Sequence, residues 1–223
     1  MKITKDLLGV LSNFSAINQN MFAQAGKPVA TINNENSVYA CATSDVFSFP
    51  SDVGVYNLSE LLQSINLIPD AELQFTPTNV VISNKNAKLT YRLADKDVLT
   101  TPKKSITLPE SPDDVVIDIS QELLTQLSKA ASTLSATHVS IKSDAGSNEI
   151  VAKVFDPKKY TLDVYTHVIS DQENPEKNYE YLFLFKNFLF QSGDYRLQIS
   201  PNKISKWTGK NVFYYIAVEQ PVK

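Results

Sequence analysis

The chain has 223 residues, of which 43% are hydrophobic, so it can bury a real core as one large domain or as two of about 110 residues. Its formal net charge is −3, from 21 basic and 24 acidic side chains. That balance excludes a protein that coats nucleic acid by bulk positive charge, but it allows separate basic and acidic surfaces. The single Cys41 excludes an internal disulfide, and we expect neither a signal peptide nor a membrane span. We therefore expect a soluble, intracellular globular protein.

Residues 4–17 are predicted to form an amphipathic helix, because apolar side chains recur at helical spacing along one stripe. That stripe consists of Ile3, Leu7, Val10, Leu11, Phe14 and Ile17. The opposite face carries small or basic residues, namely Lys2, Lys5, Gly9, Ser12 and Ala16. Gly9 costs a helix about 1 kcal/mol relative to alanine. It is either a tolerated glycine on a solvated face or a place where something large comes close.

The pattern then changes to short strands and turns. Strands are predicted at 28–32, 38–42, 45–49, 53–56, 72–75, 80–83 and 88–93. One helix interrupts them. It begins after Asn57, which together with Glu60 is typical of a capping box, and it ends near Pro69. Residues 94–113 combine three prolines with few apolar side chains, which indicates an extended connector, partly strand, between two domains.

The second half begins again with a strand, at 115–119, followed by a helix over 121–134 with Ser120 as its N-cap. The apolar stripe of this helix is predicted to contain Leu124, Leu127, Ala131 and Leu134, with Leu123 alongside. Further strands are predicted at 138–142, 149–155, 160–169, 195–200, 204–207 and 212–218. The apolar stretch from Tyr181 to Phe190 is predicted to hold a short helix that ends at Gly193.

Short sequence motifs recur in the same order in both halves. The pattern acidic-Leu-Leu-x-x-Leu-Ser occupies 6–12 and again 122–128. Each half then has a second apolar segment with a similar ending, at 60–64 and 188–192, before a predicted strand. Matches in the same order and on the same element types indicate an internal duplication, so we expect two similar domains.

Catalytic and metal-binding residue types are scarce. His138 and His167 lie in predicted strands without a cysteine or carboxylate at ligand spacing, so we expect neither a metal site nor a cofactor. Cys41 lies between two alanines in a strand, which favours an inert thiol over a nucleophile. The chain has only six glycines and no glycine-rich phosphate loop. We expect no enzyme, although a dispersed site made of carboxylates that meet only in the fold stays open as an alternative.

Three aromatic residues, Trp207, Tyr214 and Tyr215, lie close together near the C-terminus. Packing in a core or an interface is the default interpretation. Stacking on single-stranded bases is the sharper alternative, although no basic groove motif accompanies these residues. A DNA-binding module, such as a single-strand-binding protein, therefore stays open as one class of function.

A series of longer matches runs in order along the whole chain, at residues 1–6, 13–14, 17–18, 39–40, 44–46, 55–58, 70–72 and 193–197. In this order and at this length, the chain resembles the sliding clamp of T-even-type bacteriophages. None of these segments is a catalytic signature, and the specificity of the resemblance lies in their shared order. The resemblance implies an α+β chain with the DNA-clamp (processivity) fold. In that fold two similar domains each carry helices on one face of antiparallel sheets, and subunits assemble into a ring.

The resemblance also implies a function without catalysis, in which the ring encircles duplex DNA and tethers the replicative DNA polymerase to raise its processivity. It divides the chain into an N-terminal clamp domain at 1–108 and a C-terminal clamp domain at 109–223, with a connector at 97–113. Basic residues of the inner helices are expected to face DNA, namely Lys2, Lys5 and Lys129, with Lys186 as a further candidate from the fourth helix. Ser12 and Ser132 stand where relatives carry a basic residue, so we expect a lower inner charge.

Several partners are implied by the same resemblance. They are duplex DNA, the replicative DNA polymerase, an ATP-dependent clamp loader, late-transcription factors and further copies of the chain in a homotrimer. The expected location is the cytoplasm of an infected bacterial host, with no membrane involved. Closure of the ring requires an exposed strand edge from each domain. A hydrophobic pocket near the connector is expected to receive short partner peptides, with Ile106, Leu108, Tyr215 and Val218 as its candidate residues.

Overall fold

The computed structural model describes the chain apart from residues 45–46, 104–105, 109–110, 113, 145, 148, 160–162, 171–177, 202–203 and 220–223. The chain divides into two compact units. The first unit contains Met1–Thr107, Leu189–Gln191 and Thr208–Tyr215, and the second contains Leu108–Phe188, Ser192–Trp207 and Ile216–Lys223. Within the described residues, no helix is long and apolar enough to cross a lipid bilayer.

The first half of the chain forms two α-helices and seven strands among the described residues. In chain order they are α1 (Lys5–Ile17), β1 (Met21–Ala23), β2 (Ala30–Ile32), β3 (Val38–Ala42), β4 (Val53–Val55), α2 (Leu58–Leu67), β5 (Glu72–Phe75), β6 (Asn79–Ser83), β7 (Lys88–Arg92) and a 3₁₀ turn (Lys96–Val98).

The second half forms one α-helix and eight strands in the part of the chain that is described. They are β8 (Val115–Ile119), α3 (Gln121–Leu134), β9 (His138–Ser143), β10 (Ile150–Phe155), β11 (Tyr165–Ser170), β12 (Tyr179–Leu184), a 3₁₀ turn (Phe185–Asn187), β13 (Tyr195–Ser200), β14 (Ile204–Thr208) and β15 (Val212–Ala217). The residues of β15 up to Tyr215 belong to the first unit.

Both helices of the first unit begin at a polar cap. The Thr4 side chain accepts a hydrogen bond from the backbone N–H of Leu7 at 3.1 Å, and the Asn57 side chain accepts one from Glu60 at 3.1 Å. These bonds satisfy backbone donors that a helix N-terminus otherwise leaves unpaired. The helix predicted over 4–17 is confirmed, and the predicted cap at Asn57 is also confirmed.

Strands of three sheets accompany these helices. β1 pairs antiparallel with β4, β5 to β7 form an antiparallel meander, and β3 lies between β2 and β15. The β2–β3 turn is held by Asn33, whose side-chain oxygen accepts hydrogen bonds from the N–H groups of Ser37 at 2.9 Å and Val38 at 3.0 Å. Asn36 in the same turn has a φ of 55°, a left-handed conformation that asparagine tolerates better than most residues.

In the second unit, α3 and β8 have the bounds that the sequence predicts. Ser120 caps α3 by accepting a hydrogen bond from Leu123 N–H at 3.1 Å, and the helix ends where Ser135 turns left-handed with a φ of 46°. Four antiparallel strands form a sheet in the order β11-β10-β9-β12. β8 pairs antiparallel with β13.

The two units repeat one strand pairing ahead of their first helix. Lys2, which precedes α1, lies opposite Glu72 of β5 in an antiparallel bridge. Asp118 of β8, which precedes α3, lies opposite Arg196 of β13, with 3.8 Å between carboxylate and guanidinium. Each pair joins opposite charges. In the first unit the basic residue precedes the helix, whereas in the second unit the acidic residue does. The equivalent positions support the internal duplication, because the same pairing joins corresponding segments in both units.

The helix predicted between Tyr181 and Phe190 is wrong. Residues Tyr179–Leu184 form β12, which pairs with β9 along its whole length, and only the 3₁₀ turn Phe185–Asn187 follows. Consecutive Leu182 and Phe183 are both buried, so this part of the strand has no polar side. An apolar run of this kind fits a strand as well as a helix, and periodicity cannot separate the two. Lys186 therefore lies in a 3₁₀ turn and not on a fourth α-helix.

Smaller differences concern short segments. β1 is not among the strands predicted from the sequence. Of the strand predicted at 45–49, residues 45–46 lie outside the described residues, and Phe49 makes only a single parallel bridge to Ala25. The strand predicted at 160–169 begins at Tyr165, with 160–162 outside the described residues. The connector contains the 3₁₀ turn Lys96–Val98 and no strand among its described residues.

A buried hydrogen-bond chain joins β14 and β15 in the second unit. The indole N–H of Trp207 donates to the Ser205 hydroxyl at 2.9 Å, and that hydroxyl donates to the Ile216 carbonyl at 2.9 Å. Both Ser205 and Trp207 are buried, and the Trp207 ring makes edge contacts with Phe183 and Phe188. Trp207 is therefore a core residue, as the default interpretation holds.

Replacing Ser205 with alanine should destabilise the fold by about 1–3 kcal/mol, because it removes the acceptor of the buried Trp207 indole N–H and the hydroxyl that donates to the Ile216 carbonyl. The measurement is denaturant unfolding followed by fluorescence of Trp207, the single tryptophan of the chain. Thr208→Ala, at the exposed end of the same strand, is the control and should change stability by less than about 0.5 kcal/mol. Equal losses in the two variants would contradict the assigned role of Ser205.

Candidate nucleic-acid interface

The helix α1 buries one face and exposes the other. Its buried side chains are Leu7, Val10, Leu11, Phe14 and Ile17, as the sequence predicts. On the opposite face, Lys5, Ser12 and Ala16 are exposed. This leaves a narrow surface of short side chains with one exposed lysine at its N-terminal end.

Gly9 is half-buried, and the atoms that approach it belong to Gln191 of the same chain. A Cβ atom at this position would lie 3.2 Å from Nε2 of Gln191, which is tighter than an ordinary contact. The segment Leu189–Gln191 belongs to the same compact unit as α1. The small residue therefore makes room for this segment.

Asn13 ties α1 to that segment. Its side-chain N–H donates to the Leu189 carbonyl at 2.9 Å, and its oxygen accepts from the Tyr214 hydroxyl at 2.7 Å. The same hydroxyl accepts from Gln191 N–H at 2.9 Å. Because both polar ends of the amide have partners, α1 is fixed in rotation about its axis, with Ser12 and Ala16 facing outward.

The helix α3 has the same two-sided character. Leu123, Leu127 and Ala131 are buried. Leu124 and Leu134, which are predicted for the apolar stripe, are only half-buried, so the true stripe is rotated by about one position. The exposed face consists of short polar side chains and one lysine, namely Thr125, Ser128, Lys129, Ser132 and Thr133.

An aspartate from another strand loop positions the start of α3, and sequence reasoning missed it. The backbone N–H of Gln121 donates to the Asp194 carboxylate at 2.7 Å, and Gly193 N–H donates to the Gln121 side-chain oxygen. A carboxylate at a helix N-terminus is favoured by the helix dipole and by the free N–H groups there. Gly193 has a φ of 147°, a backbone conformation that favours glycine. The local geometry thus accounts for Gly193 and Asp194 of the segment at 193–197.

The exposed faces carry little net charge. Lys5 is followed by Asp6 in the first turn of α1, and α3 has Glu122 in its first turn and Lys129 two turns later. Lys2 is exposed but precedes α1 and lies opposite Glu72, so it is not a helix residue. Of the four predicted DNA-facing lysines, two lie on α-helices, one in the strand pairing before α1 and one in a 3₁₀ turn.

The histidines have local partners and form no metal site. The Thr137 hydroxyl lies 2.7 Å from Nδ1 of His138, whose ring stacks on Phe155, and the Tyr165 hydroxyl lies 3.2 Å from Nδ1 of His167. Burial lowers the pKa of His138, and the nearby Asp156 carboxylate opposes that shift. Throughout the described residues, no group of three or more His, Cys, Asp or Glu side chains could hold a metal ion.

The residues predicted for a peptide pocket fall in both units. Ile106 is half-buried and Tyr215 is buried in the first unit, while Leu108 and Val218 are half-buried in the second. Their grouping as one pocket stays a prediction. Tyr214 and Trp207 are buried as well, so neither ring is available to stack on a base.

Comparisons with known proteins agree with this geometry. The C-terminal part, residues 116–220, matches the family described as gp45 sliding clamp, C terminal. The sliding clamp of Vibrio phage KVP40 is 30% identical over 98% of this chain and 99% of its own length. The sliding clamp of Escherichia phage RB69 is 29% identical over 98% of this chain and 97% of its own length.

Solved structures confirm the predicted α+β clamp fold. The structure of A. fulgidus PCNA bound to the C-terminal region of FEN-1 superposes with a TM-score of 0.70 at 12% identity, over 97% of this chain and 96% of that one. At this identity the likeness concerns the fold alone. The resemblance to phage sliding clamps stated from the sequence is confirmed by the two phage relatives.

Replacing Asp194 with alanine should lower the free energy of unfolding by about 1 kcal/mol, because α3 loses a charged acceptor at its N-terminus. Asp194→Asn, which keeps an acceptor but no charge, should lose about half as much. Denaturant unfolding and backbone hydrogen exchange at Leu123 and Leu124 measure the effect. The exposed Glu149→Ala serves as a control that should be neutral. Protection of α3 that is unchanged in Asp194→Ala would contradict the role of Asp194.

Proposed function

Because the chain belongs to the sliding-clamp family, we propose that three copies of it close into a ring around duplex DNA and hold the replicative DNA polymerase on its template. An ATP-dependent loader opens and closes this ring, and the clamp itself carries out no catalysis. The observation that carries the proposal is the pair of two-sided helices α1 and α3, whose exposed faces are short, polar and weakly charged. The alternative of single-strand binding is not supported, since Trp207 and Tyr214 are buried.

Weak charge suits a clamp that slides. Contacts with phosphates carry no sequence information, and each one adds salt-sensitive affinity, with a slope of about −0.9 per contact on duplex DNA. A protein that grips many phosphates or reads base edges resists movement along the duplex. If topology provides retention, a few lysines are enough to offset the duplex charge. This accounts for a DNA-associated protein with a net charge of −3.

The DNA-facing residues of this proposal are Lys2, Lys5, Lys129 and Lys186. The exposed positions of Lys5 on α1 and Lys129 on α3 support the first two assignments best. Lys2 shares its surroundings with Glu72, which offsets part of its charge. Lys186 is exposed in its 3₁₀ turn. Ser12 and Ser132 contribute exposed surface without charge.

Ring closure needs open strand edges, and two sheets have one each. The outer edge of β5 is covered, because Leu73 exchanges backbone hydrogen bonds with Met1 at 2.7 and 2.8 Å. The outer edge of β12 is covered by Glu219, whose N–H donates to the Leu182 carbonyl at 2.7 Å. The other edges of these sheets are β7 and β11. An unpaired edge of this kind favours pairing with another chain.

The internal duplication indicates how these edges meet. β7 and β15 are the last strands of the two halves, and β3 corresponds to β11 as the third strand after the first helix. Within the first unit β15 lies beside β3, where the rings of Tyr39 and Tyr215 are 6.0 Å apart. Since β7 corresponds to β15 and β11 corresponds to β3, we expect β7 of one copy to pair with β11 of the next. The homotrimer is then a head-to-tail ring that repeats one contact.

The remaining assignments follow the family. The clamp domains span 1–108 and 109–223 with the connector at 97–113, and the division of compact units at Thr107 and Leu108 supports this boundary. A peptide pocket around Ile106, Leu108, Tyr215 and Val218 receives the polymerase and, in the same way, late-transcription factors. The protein acts in the cytoplasm of an infected bacterial host.

The test is retention on DNA of two topologies. The protein is loaded onto a nicked circular duplex, freed of excess protein, and the circle is then either left intact or cut once by a restriction enzyme. We expect the clamp to stay on the intact circle and to leave the linear form by sliding off its ends. Equal retention on both forms would overturn the topological mechanism.

A charge-reversed variant separates loading from retention. Lys5→Glu with Lys129→Glu should load more slowly, because the inner faces become negative, yet persist on the intact circle once loaded. The matched control is Lys153→Glu with Lys210→Glu, which makes the same charge change outside α1, α3 and the surroundings of Lys2. Lys153 lies on the face of β10 opposite the buried Ala152 and Val154. Identical loading by the two variants would remove Lys5 and Lys129 from the DNA-facing surface.

A further inference from the structure

A cleft of about 310 Å³ in the first unit carries three lysines and no acidic lining residue. It is lined by Lys27, Lys96 and Lys103 together with the side chains of Phe22, Tyr39 and Cys41. All three lysines are exposed. We name this site the lysine cleft. Its charge stands out in a chain that has more acidic than basic residues.

The lysines of the cleft lack direct carboxylate partners among the described residues, although Asp95 and Asp97 flank Lys96 in the chain. Nζ of Lys96 lies 4.9 Å from the centre of the Phe22 ring, so an aromatic face holds this ammonium group. Within the described part of the chain, none of the three lysines forms an ion pair with a carboxylate. Three ammonium groups around one concavity attract negative charge, and the cost of holding them together is relieved when an anion binds.

The lysine cleft lies on the side of the β2–β3 sheet that is opposite to α1. In the register of these strands Ala30 pairs with Cys41, and Thr31 pairs with Ala40. Alternate residues of a strand point to opposite faces. Thr31 and Ala40 are buried on the face against which α1 packs, whereas Ala30 and Cys41 are half-buried and line the cleft. Duplex DNA along the exposed face of α1 is therefore not the occupant of the cleft.

We propose that the lysine cleft binds an acidic, extended segment of a partner protein. Its carboxylates lie near the lysine rim, and an apolar side chain between them rests against the apolar lining formed by Pro28, Ala30 and Pro102. An isolated phosphate makes no use of this apolar lining, whereas an alternating acidic and apolar segment uses both parts of the cleft. The site shares no lining residue with the predicted pocket of Ile106, Leu108, Tyr215 and Val218, and it exists whether or not the ring closes around DNA.

Cys41 provides a reporter inside the cleft. It is the single cysteine of the chain and is half-buried. Burial raises the pKa of its thiol, and a hydrogen bond with Tyr39 acts in the opposite direction. Since the thiolate is the reactive form, its fraction affects all disulfide reagents alike. The ratio of rates for a dianionic and a neutral reagent therefore isolates the local charge.

The first measurement compares dithiobis(nitrobenzoate), a dianionic disulfide, with neutral dithiodipyridine on the purified full chain. We expect the anionic-to-neutral rate ratio to fall by about five- to tenfold when Lys27, Lys96 and Lys103 are all replaced by glutamine, and to fall with added salt. The control replaces Lys85, Lys153 and Lys158 by glutamine, at positions that do not line the cleft, and should leave the ratio unchanged. An equal ratio in the wild type and the cleft variant would overturn the proposal.

The second measurement uses an acetylated pentapeptide in which glutamate alternates with leucine and phenylalanine. This probe should slow the reaction of Cys41 with both reagents in the wild type and not in the cleft variant. Equal protection by the same peptide with glutamine in place of glutamate, or by an oligothymidylate, would overturn the choice of an acidic segment. Circular dichroism and Trp207 fluorescence confirm that each variant is folded. Since no DNA is present, failure here leaves the retention test of the ring unaffected.

Discussion

The apolar stripes of α1 and α3 must be buried against other elements of their own units. This burial determines how each helix is oriented and which of its faces is exposed. Five side chains of α1 and three of α3 are buried, which removes them from water and sets the rotation of each helix. Polar anchors complete the orientation, through Asn13 on α1 and Asp194 at the start of α3. The opposite faces are therefore exposed as a consequence of packing, and their short side chains leave room for a large partner.

The duplicated strand pairings explain how one chain supplies both a closed core and open edges. Before each first helix, a charged residue faces its opposite, Lys2 with Glu72 and Asp118 with Arg196. These two pairings join corresponding segments of the two units, whereas β7 and β11 are outermost strands of their sheets. Because β7 and β11 each have a strand neighbour on one side only, each is suited to pairing with a strand of another copy. In this account the ring forms because the pairing of β7 with β11 is repeated between successive chains.

Local signals predicted much of the fold, because several elements are specified by residues close in sequence. Ser120 and the helical spacing after it predict α3 at its observed bounds, and Asn57 correctly begins α2. The helix predicted at β12 is wrong, because the pairing of β12 with β9 joins segments distant in sequence, which an apolar run does not reveal. For the same reason the close approach of Gln191 to Gly9 and the capping of α3 by Asp194 could not be predicted. The lysine cleft likewise combines residues from β1, β2, β3 and the connector that have no common motif.

The central claim is that the exposed faces of α1 and α3 lie against duplex DNA. It is tested most directly by photocrosslinking from single cysteines placed at Ser12 or Ser132 in a Cys41→Ser background. Val116 provides the control position, because it is exposed on β8 while its neighbours Val115 and Ile117 are buried. After loading on circular duplex, the account predicts DNA crosslinks from positions 12 and 132 and few from position 116. Crosslinks of equal yield from position 116, or none from positions 12 and 132, would contradict it.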